Sequence, residues 1–455
     1  MRKSSLAVLA VILTATALTA CGSNKDKEQS SSTPAATGTA SATSSQEVKA
    51  ESFEMVLRHI HIRETAKPTL KLLEEVIQKT EQDVPGLKVS LDGVEDTVNR
   101  NVKLKAEMAS GTQPPIFHLF GGADTQNYSK AGRLLPLKGI LTEIGIQDSF
   151  FDLREFDVDG EIYGLPESGY IEGFFYNKEL FEEAGVSGVP ATWDELIAAM
   201  EKLKAKGITP IAMGAGAGDG WVANMLVNNL LVALGGPQIQ EGFSTGATKW
   251  TDAPVLETFT RLVDLVNKQY IDPNVLGLAF AEGQANFYTG KAAMLFDGSW
   301  AVNAIVGETS LVKDSAGFFR FPDVGGPGDG YINGGWSNGY GFSAELKDNE
   351  LAAVKAFIKN FFTLDNQKRT LVETNQIPAM KGVTQVEGAS QLIQSIGEQQ
   401  GSAKGAYPAF DALVQPSVKV ELEAVVQELL GKQITPEEAT KRMQKAQDNA
   451  IAAGQ

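Results

Sequence analysis

The sequence predicts an α/β protein large enough for two domains, and three observations carry that prediction. Strand-like and helix-like segments alternate in β-α-β-α-β order from Ser52 to Phe120. The last two-thirds of the chain read as long helices around a small sheet. The part with folding composition runs to roughly 400 residues, enough for two cores.

Each element has its own signal. Phe53, Met55 and Leu57 alternate with polar or smaller neighbours, the period of a strand. Across Thr69–Thr80, Leu70, Leu73, Val76 and Ile77 share one helical stripe. Leu87–Leu91 alternates again, Asp96–Ser110 reads as a helix, and Ile116–Phe120 reads as a short buried strand. Such an order favours a largely parallel sheet, whose ligands sit in loops beyond the carboxyl ends of the strands. Tyr163-Gly164-Leu165-Pro166 precedes an extended run through Asn177. Thr192-Trp193-Asp194-Glu195 is a capping box, in which the Thr hydroxyl and Glu carboxylate satisfy free backbone N–H groups, and Thr435–Glu438 is another. Helices are predicted over Trp221–Leu234 and Pro254–Gln269, and extended segments at Ala292–Phe296, Ala316–Phe321 and Gly339–Ser343.

The N-terminus carries a different kind of signal. Arg2 and Lys3 precede an apolar run, Leu6–Leu18, that suits a secretory signal better than a transmembrane span. It ends in Leu18-Thr19-Ala20-Cys21, which resembles a bacterial lipobox, and Cys21 is the only cysteine. Residues 1–20 are read as a lipoprotein signal peptide and 21–50, poor in large apolar groups, as a flexible tether. Two acyl chains on Cys21 would hold the protein at the outer face of a Gram-positive cell membrane. A lone cysteine rules out an internal disulfide and a CxxC zinc site.

The chain has 40 basic and 56 acidic residues, net −16; loss of Arg2 and Lys3 with residues 1–20 takes this to −18. An acidic surface disfavours nucleic acid, which needs a basic face. No Gly-x-Ser-x-Gly elbow, His-Glu-x-x-His or dinucleotide fingerprint is present.

Seven short motifs occur in one order. They are Tyr163–Pro166, Tyr176–Phe181, Pro190–Leu196, Phe287–Met294, Asp297–Trp300, Gly317–Pro322 and Gly334–Trp336. In that order, behind a lipobox, the chain resembles the extracellular solute-binding proteins of ABC importers, of the maltose- and multiple-sugar-binding type. The resemblance implies a two-lobed periplasmic-binding-protein-like fold of the class II type, lobes joined by hinge crossings, with the ligand between them. It places crossings near Ser168–Gly173, Ala316–Phe319 and Gly341–Ala344. The N-terminal lobe would then comprise 51–168 and 319–341, and the C-terminal lobe 174–315 and 345–455. It also implies a monomer that binds a carbohydrate, closes around it and delivers it to a permease with a cytoplasmic ATPase. No catalysis, cofactor or metal is expected.

A sugar offers hydroxyls at fixed angles and an apolar C–H face, so its site calls for flat rings and planar polar groups. Trp300, Trp336 and Trp221 are the stacking candidates, the first because the family stacks a matching tryptophan on sugar. Trp193, inside its capping box, reads as a structural staple, and Trp250 leans the same way. His59 and His61 follow the first strand; Asp124, Glu167 and Asp297 lie at other strand ends. Tyr407 and Phe410 fall where the family adds a late aromatic contact. His118, inside an apolar strand, reads as a satisfied core group. Two alternatives stay open: a receptor of this architecture for a non-sugar solute, and an extracellular glycoside hydrolase, which needs two carboxylates flanking the bond.

Overall fold

The computed structural model describes residues 51–216, 218–383 and 387–454; the signal segment, Cys21 and the tether lie outside them. Along the chain the strands are β1 (Phe53–His59), β2 (Leu87–Gly93), β3 (Ile116–Phe120), β4 (Asp157–Val158), β5 (Glu161–Ile162), β6 (Gly164–Pro166) and β7 (Ser168–Asn177). They continue as β8 (Thr209–Ala212), β9 (Ala292–Gly298), β10 (Ala316–Phe319), β11 (Tyr331–Gly335), β12 (Asn338–Phe342), β13 (Ile377–Pro378) and β14 (Gly405–Tyr407). Two sheets result. One has the order β2-β1-β3-β12-β6, with β1 parallel to both β2 and β3 as the alternation predicted. The other runs β14-β11-β7-β9-β8, with β10 and β13 also paired to β7.

Each sheet nucleates its own lobe. In lobe one, Leu57, Phe117, Leu119, Leu165 and Tyr340 form the sheet's part of a core. The helix Lys67–Asp83 lays Leu72, Leu73, Val76 and Ile77 inward at helical spacing. Arg58 is buried yet ionised, its Nη2 2.8 Å from Asp92 Oδ2 and its Nη1 paired with Glu107. The helical run 96–110 starts on Glu95, whose carboxylate accepts the Thr97 and Val98 N–H groups, and widens into a π-turn at Asn99–Lys103.

In lobe two, consecutive residues of β7 point to opposite faces, as strand geometry requires. Phe174 joins the core under the helices Trp193–Ala205, Gly220–Gly235 and Ala253–Asn267. Phe175 joins a second core with Leu295, Phe318, Ile332 and Ile396. Both predicted capping boxes form. Among the described residues no helix is long and apolar enough to cross a membrane.

Two of the three crossings differ from those the resemblance implied. The first lies at Pro166–Ser168 between β6 and β7, at the leading edge of the expected Ser168–Gly173; Tyr170 and Ile171 already pair with β11. The expected return at Ala316–Phe319 does not occur: β10 stays paired with β7, and Phe319 and Phe321 pack on Phe174 at ring separations of 5.1 and 6.1 Å. Residues 319–335 therefore belong to lobe two, and the chain returns between Gly335 and Asn338. Nor does residue 345 open lobe two. The helix Asp348–Phe361 buries Val354, Phe357 and Ile358 in the lobe-one core, where Phe357 and Phe361 each stand 5.3 Å from the Tyr340 ring. Further on the chain reaches the lobe-two sheet at β13, where Ile377 pairs with Gly169, touches the lobe-one core again at Met380, and is in the second lobe-two core at Ala389. An amphipathic stripe shows that a helix packs, not against which sheet.

Candidate functional site

The site grows out of strand ends. Past the carboxyl end of β1 the chain presents His61 and Arg63; β3 presents His118 and Phe120; the β6–β7 crossing presents Glu167 and Tyr170. Lobe two answers with Trp221 in the first turn of the helix Gly220–Gly235, Phe280 at the start of the helix Phe280–Tyr288, and Trp300 just after β9. Between them is a cavity of about 280 Å³.

Its lobe-two wall is aromatic. Trp221 stands 4.8 Å from Phe280 and 6.4 Å from Trp300, and Trp300 stands 5.8 Å from Tyr170. The rings are tilted by 45 to 57° to one another, so they form a faceted surface rather than one stack. The Arg63 guanidinium lies 4.9 Å over the Phe280 ring and is held by Glu95, 2.9 Å away.

The lobe-one wall is polar, with His61 and His118 on it and His59, the remaining histidine of the chain, behind it. An ionised carboxylate only accepts, so His61 carries its proton on Nε2 and donates it to Glu167 Oε1 at 3.0 Å. The Tyr340 hydroxyl donates to the same oxygen at 3.0 Å. Burial alone would raise the Glu167 carboxyl; the facing histidines and Tyr340 hold it below the usual carboxylate range. Behind this pair, the His61 backbone N–H donates to His59 Nδ1 at 3.1 Å, and the two imidazoles stack at 5.8 Å. Burial holds His59 down at about 4, and lowers His118 as well, so both are neutral at pH 7.

Glu172 lines the cavity from β7. Its Oε2 accepts from Asn229 Nδ2 at 2.7 Å, and Asn229 Oδ1 accepts from the Tyr407 hydroxyl at 2.9 Å. Burial pushes the Glu172 carboxyl up to about 8, so at neutral pH it is a protonated acid able to donate. Among the described residues, several buried polar atoms that line the cavity have no protein partner: His118 Nε2, Trp221 Nε1, Asn224 Oδ1, Asn338 Oδ1 and Gln376 Oε1. Buried polar groups are normally paired. This grouping, with donors and acceptors beside aromatic faces, suits a ligand rich in hydroxyls.

Four of the nine expected site residues meet on the cavity: His61, Glu167, Trp221 and Trp300, joined by Phe410. Three others stand behind it. His59 backs His61, Tyr407 supports Asn229, and Asp297 accepts from Gln284 Nε2 at 2.7 Å, steadying a side chain that does line the cavity. Burial pushes the Asp297 carboxyl up to about 7. Two expectations fail. Asp124 is paired with Arg100 Nε at 2.9 Å instead of facing the cavity. Trp336 lies at the second crossing, stacked on Phe151 at 5.7 Å with its indole N–H donated to Pro378 O at 3.2 Å. Its neighbours Ser337 and Asn338 line the cavity, but the Trp336 ring itself is turned away, onto Phe151.

His118 corrects a reading in the other direction. It is buried, but its Nε2 is unpaired on the cavity wall, 3.9 Å from Glu167 Oε2. Trp250 and Trp193 are structural as expected, Trp250 stacked on Phe243 at 4.0 Å and Trp193 beside Phe321 at 6.1 Å. Residues the sequence reading missed include Arg63, Arg100, Tyr170, Glu172, Phe280 and Gln284. Arg63 carried a usable signal, two positions past His61 in the same strand-end loop. Phe280 and Gln284, one helical turn apart, carried none until the helix was docked. Among the described residues, no group of three or more His, Cys, Asp or Glu is arranged to hold a metal.

A family model described as bacterial extracellular solute-binding protein matches residues 66–368. The multiple sugar-binding protein of Streptococcus mutans is 28% identical over 317 residues, spanning 68% of this chain and 72% of that protein. A solved chitin oligosaccharide binding protein is 64% identical with a TM-score of 0.87, covering 88% of this chain and 99% of the other. Another solved structure, from work on xylan utilization by the thermophilic bacterium Caldanaerobius polysaccharolyticus, is 28% identical with a TM-score of 0.79, covering 86% and 99%.

Proposed function

The chain belongs to the bacterial extracellular solute-binding protein family, and from that premise we propose that it is the substrate receptor of an ABC-type importer, capturing an oligosaccharide of the chitin type. The observation that carries this reading is the pairing of an aromatic wall (Trp221, Trp300, Tyr170, Phe280) with a polar wall built around His61 and Glu167. Pyranose rings present apolar C–H faces to the first and hydroxyls to the second. The likeness to a chitin oligosaccharide binding protein supports the ligand class. An acetamido group adds one donor, one acceptor and a methyl: the unpaired oxygens of Asn224, Asn338 and Gln376 can accept from its N–H, the unpaired Trp221 indole N–H can donate to its carbonyl, and the ring edges can take the methyl.

In this reading sugar contacts from both lobes favour the closed form, which presents a composite surface to a permease and its ATPase. The protein acts as a monomer, tethered through acylated Cys21 to the outer face of a Gram-positive membrane, and catalyses nothing. Glu167, Glu95 and Asp411 are already engaged by His61, Arg63 and Arg100, so the protonated Glu172 finds none of these lining carboxylates free as the second group that hydrolysis needs, which favours binding.

Titration calorimetry with chitin oligosaccharides, with reducing-end release followed in the same samples, tests the reading. Saturable binding without turnover is expected. Steady product release would establish a hydrolase instead, and binding confined to non-sugar solutes would remove the carbohydrate. Cys21→Ser in the secreting host should release the protein into the medium; full retention at the cell surface would refute the anchor.

A further inference from the structure

Both lobes contribute charged side chains to the cavity wall, and those side chains meet. Arg100, in the π-turn of lobe one, places Nη1 2.6 Å from Asp411 Oδ2 of lobe two. It is held from behind by Asp124 at 2.9 Å, and its guanidinium lies 3.4 Å over the Phe120 ring. A second contact runs alongside, Lys419 Nζ of lobe two donating to Asn101 Oδ1 of lobe one at 3.4 Å. Lys419 also stands 3.8 Å from Asp411 and 3.7 Å from Glu423. Arg100, Asn101, Asp411, Lys419 and Glu423 all line the cavity. Beside this bridge the backbones are almost in contact: a side chain at Gly122, where φ is +73°, would begin 2.2 Å from Ala412 O.

A chain-like ligand cannot pass through an ion pair that joins the two walls. We propose that the Arg100–Asp411 bridge, seconded by Asn101–Lys419, is the determinant of ligand length: it closes off the binding cavity where the lobes meet, and a bound oligosaccharide must be short enough to leave it formed. A longer ligand holds Arg100 and Asp411 apart and forfeits a charge-assisted pair that is largely withdrawn from water, the side chains being 13% and 21% exposed. Discrimination then comes from a contact the protein makes with itself, lost when the wrong ligand is present. Asp124 keeps Arg100 aimed while the lobes are apart, since both belong to lobe one.

The inference rests on the oligosaccharide reading above but not on the sugar being chitin. The test is calorimetry with length ladders of chitin, cellulose and xylan oligosaccharides on the wild type, Asp411→Ala and Lys419→Met. Asp411→Ala leaves Arg100 paired with Asp124, and circular dichroism confirms the fold of each variant. Affinity in the wild type should drop about tenfold or more beyond a limiting length, the scale of one lost charged pair. In Asp411→Ala that drop should shrink to about threefold or less, through weaker short ligands, stronger long ones, or both. Lys419→Met should shrink it partway. A wild type that binds all lengths alike, or a drop unchanged in Asp411→Ala, overturns the proposal. Binding of the xylan or cellulose ladder alone removes chitin while leaving the length test intact, and binding of none removes both.

Discussion

His61 Nε2 and Glu167 Oε1 lie 3.0 Å apart on the cavity wall, and the Tyr340 hydroxyl reaches the same oxygen at the same distance. His61 follows β1 and Glu167 sits in the first lobe crossing, 106 residues on, so the fold brings together two side chains that the chain separates widely. Glu167→Gln should lower sugar affinity by about tenfold, because a charged acceptor that orients His61 becomes a neutral amide. Calorimetry with circular dichroism checks this; unchanged affinity in a folded variant would remove the pair from the site.

Trp300→Ala and Trp221→Ala should each weaken binding by roughly tenfold or more, since each removes a face of the aromatic wall. Trp336→Ala should behave differently. It loses the stack on Phe151 and the bond to Pro378 O, so it should cost about 3 kcal/mol of stability while the dissociation constant stays within about threefold. Denaturant midpoints and calorimetry on the three variants separate the roles. A Trp336 variant of normal stability and lost affinity would return that residue to the cleft.

Glu172 sets a pH dependence whose sign follows from its raised carboxyl, about 8 in the folded protein against an ordinary 4.5. Between those values the folded state holds a proton that the unfolded chain has released, so stability falls as pH rises through the window. Glu172→Gln keeps the amide-sized shape beside Asn229 and removes the titration. The variant should lose less stability than the wild type between pH 5 and pH 8, at about 1 kcal/mol per pH unit of difference. Urea unfolding across that range reads it. Asp297 and Glu155, both raised to about 7, leave a residual slope of the same sign. Parallel pH profiles would show that Glu172 does not titrate as described.

His59 acts in the opposite direction. Burial holds its imidazole at about 4 against an ordinary 6.5. From pH 6.5 down to 4 the unfolded chain binds a proton that the folded one refuses, so this contribution is full above 6.5 and lost on acidification, up to about 3 kcal/mol. His59→Asn, whose side-chain oxygen can accept the His61 N–H in place of Nδ1, should flatten that part of the acid limb. Equal acid limbs in the two proteins would argue against a buried neutral His59.

The sequence alone determined the elements and the general form of the site. Period-two and period-3.6 patterns located the first three strands, the helix at 67–83 and both capping boxes because those signals are local. Motif order pointed to two lobes; strand-end placement named His61, Glu167 and Trp300, and a glycine-rich loop before a helix named Trp221, all four of which line the cavity. Only the tertiary structure decided lobe membership for 319–335 and for 345–380, since an apolar stripe names no partner. Docking likewise turned Trp336 into a hinge residue, sent Asp297, His59 and Tyr407 behind the wall, and brought His118, Arg63 and Glu172 onto it. Side-chain direction at a strand end depends on what packs across from it, and that is settled when the two lobes meet.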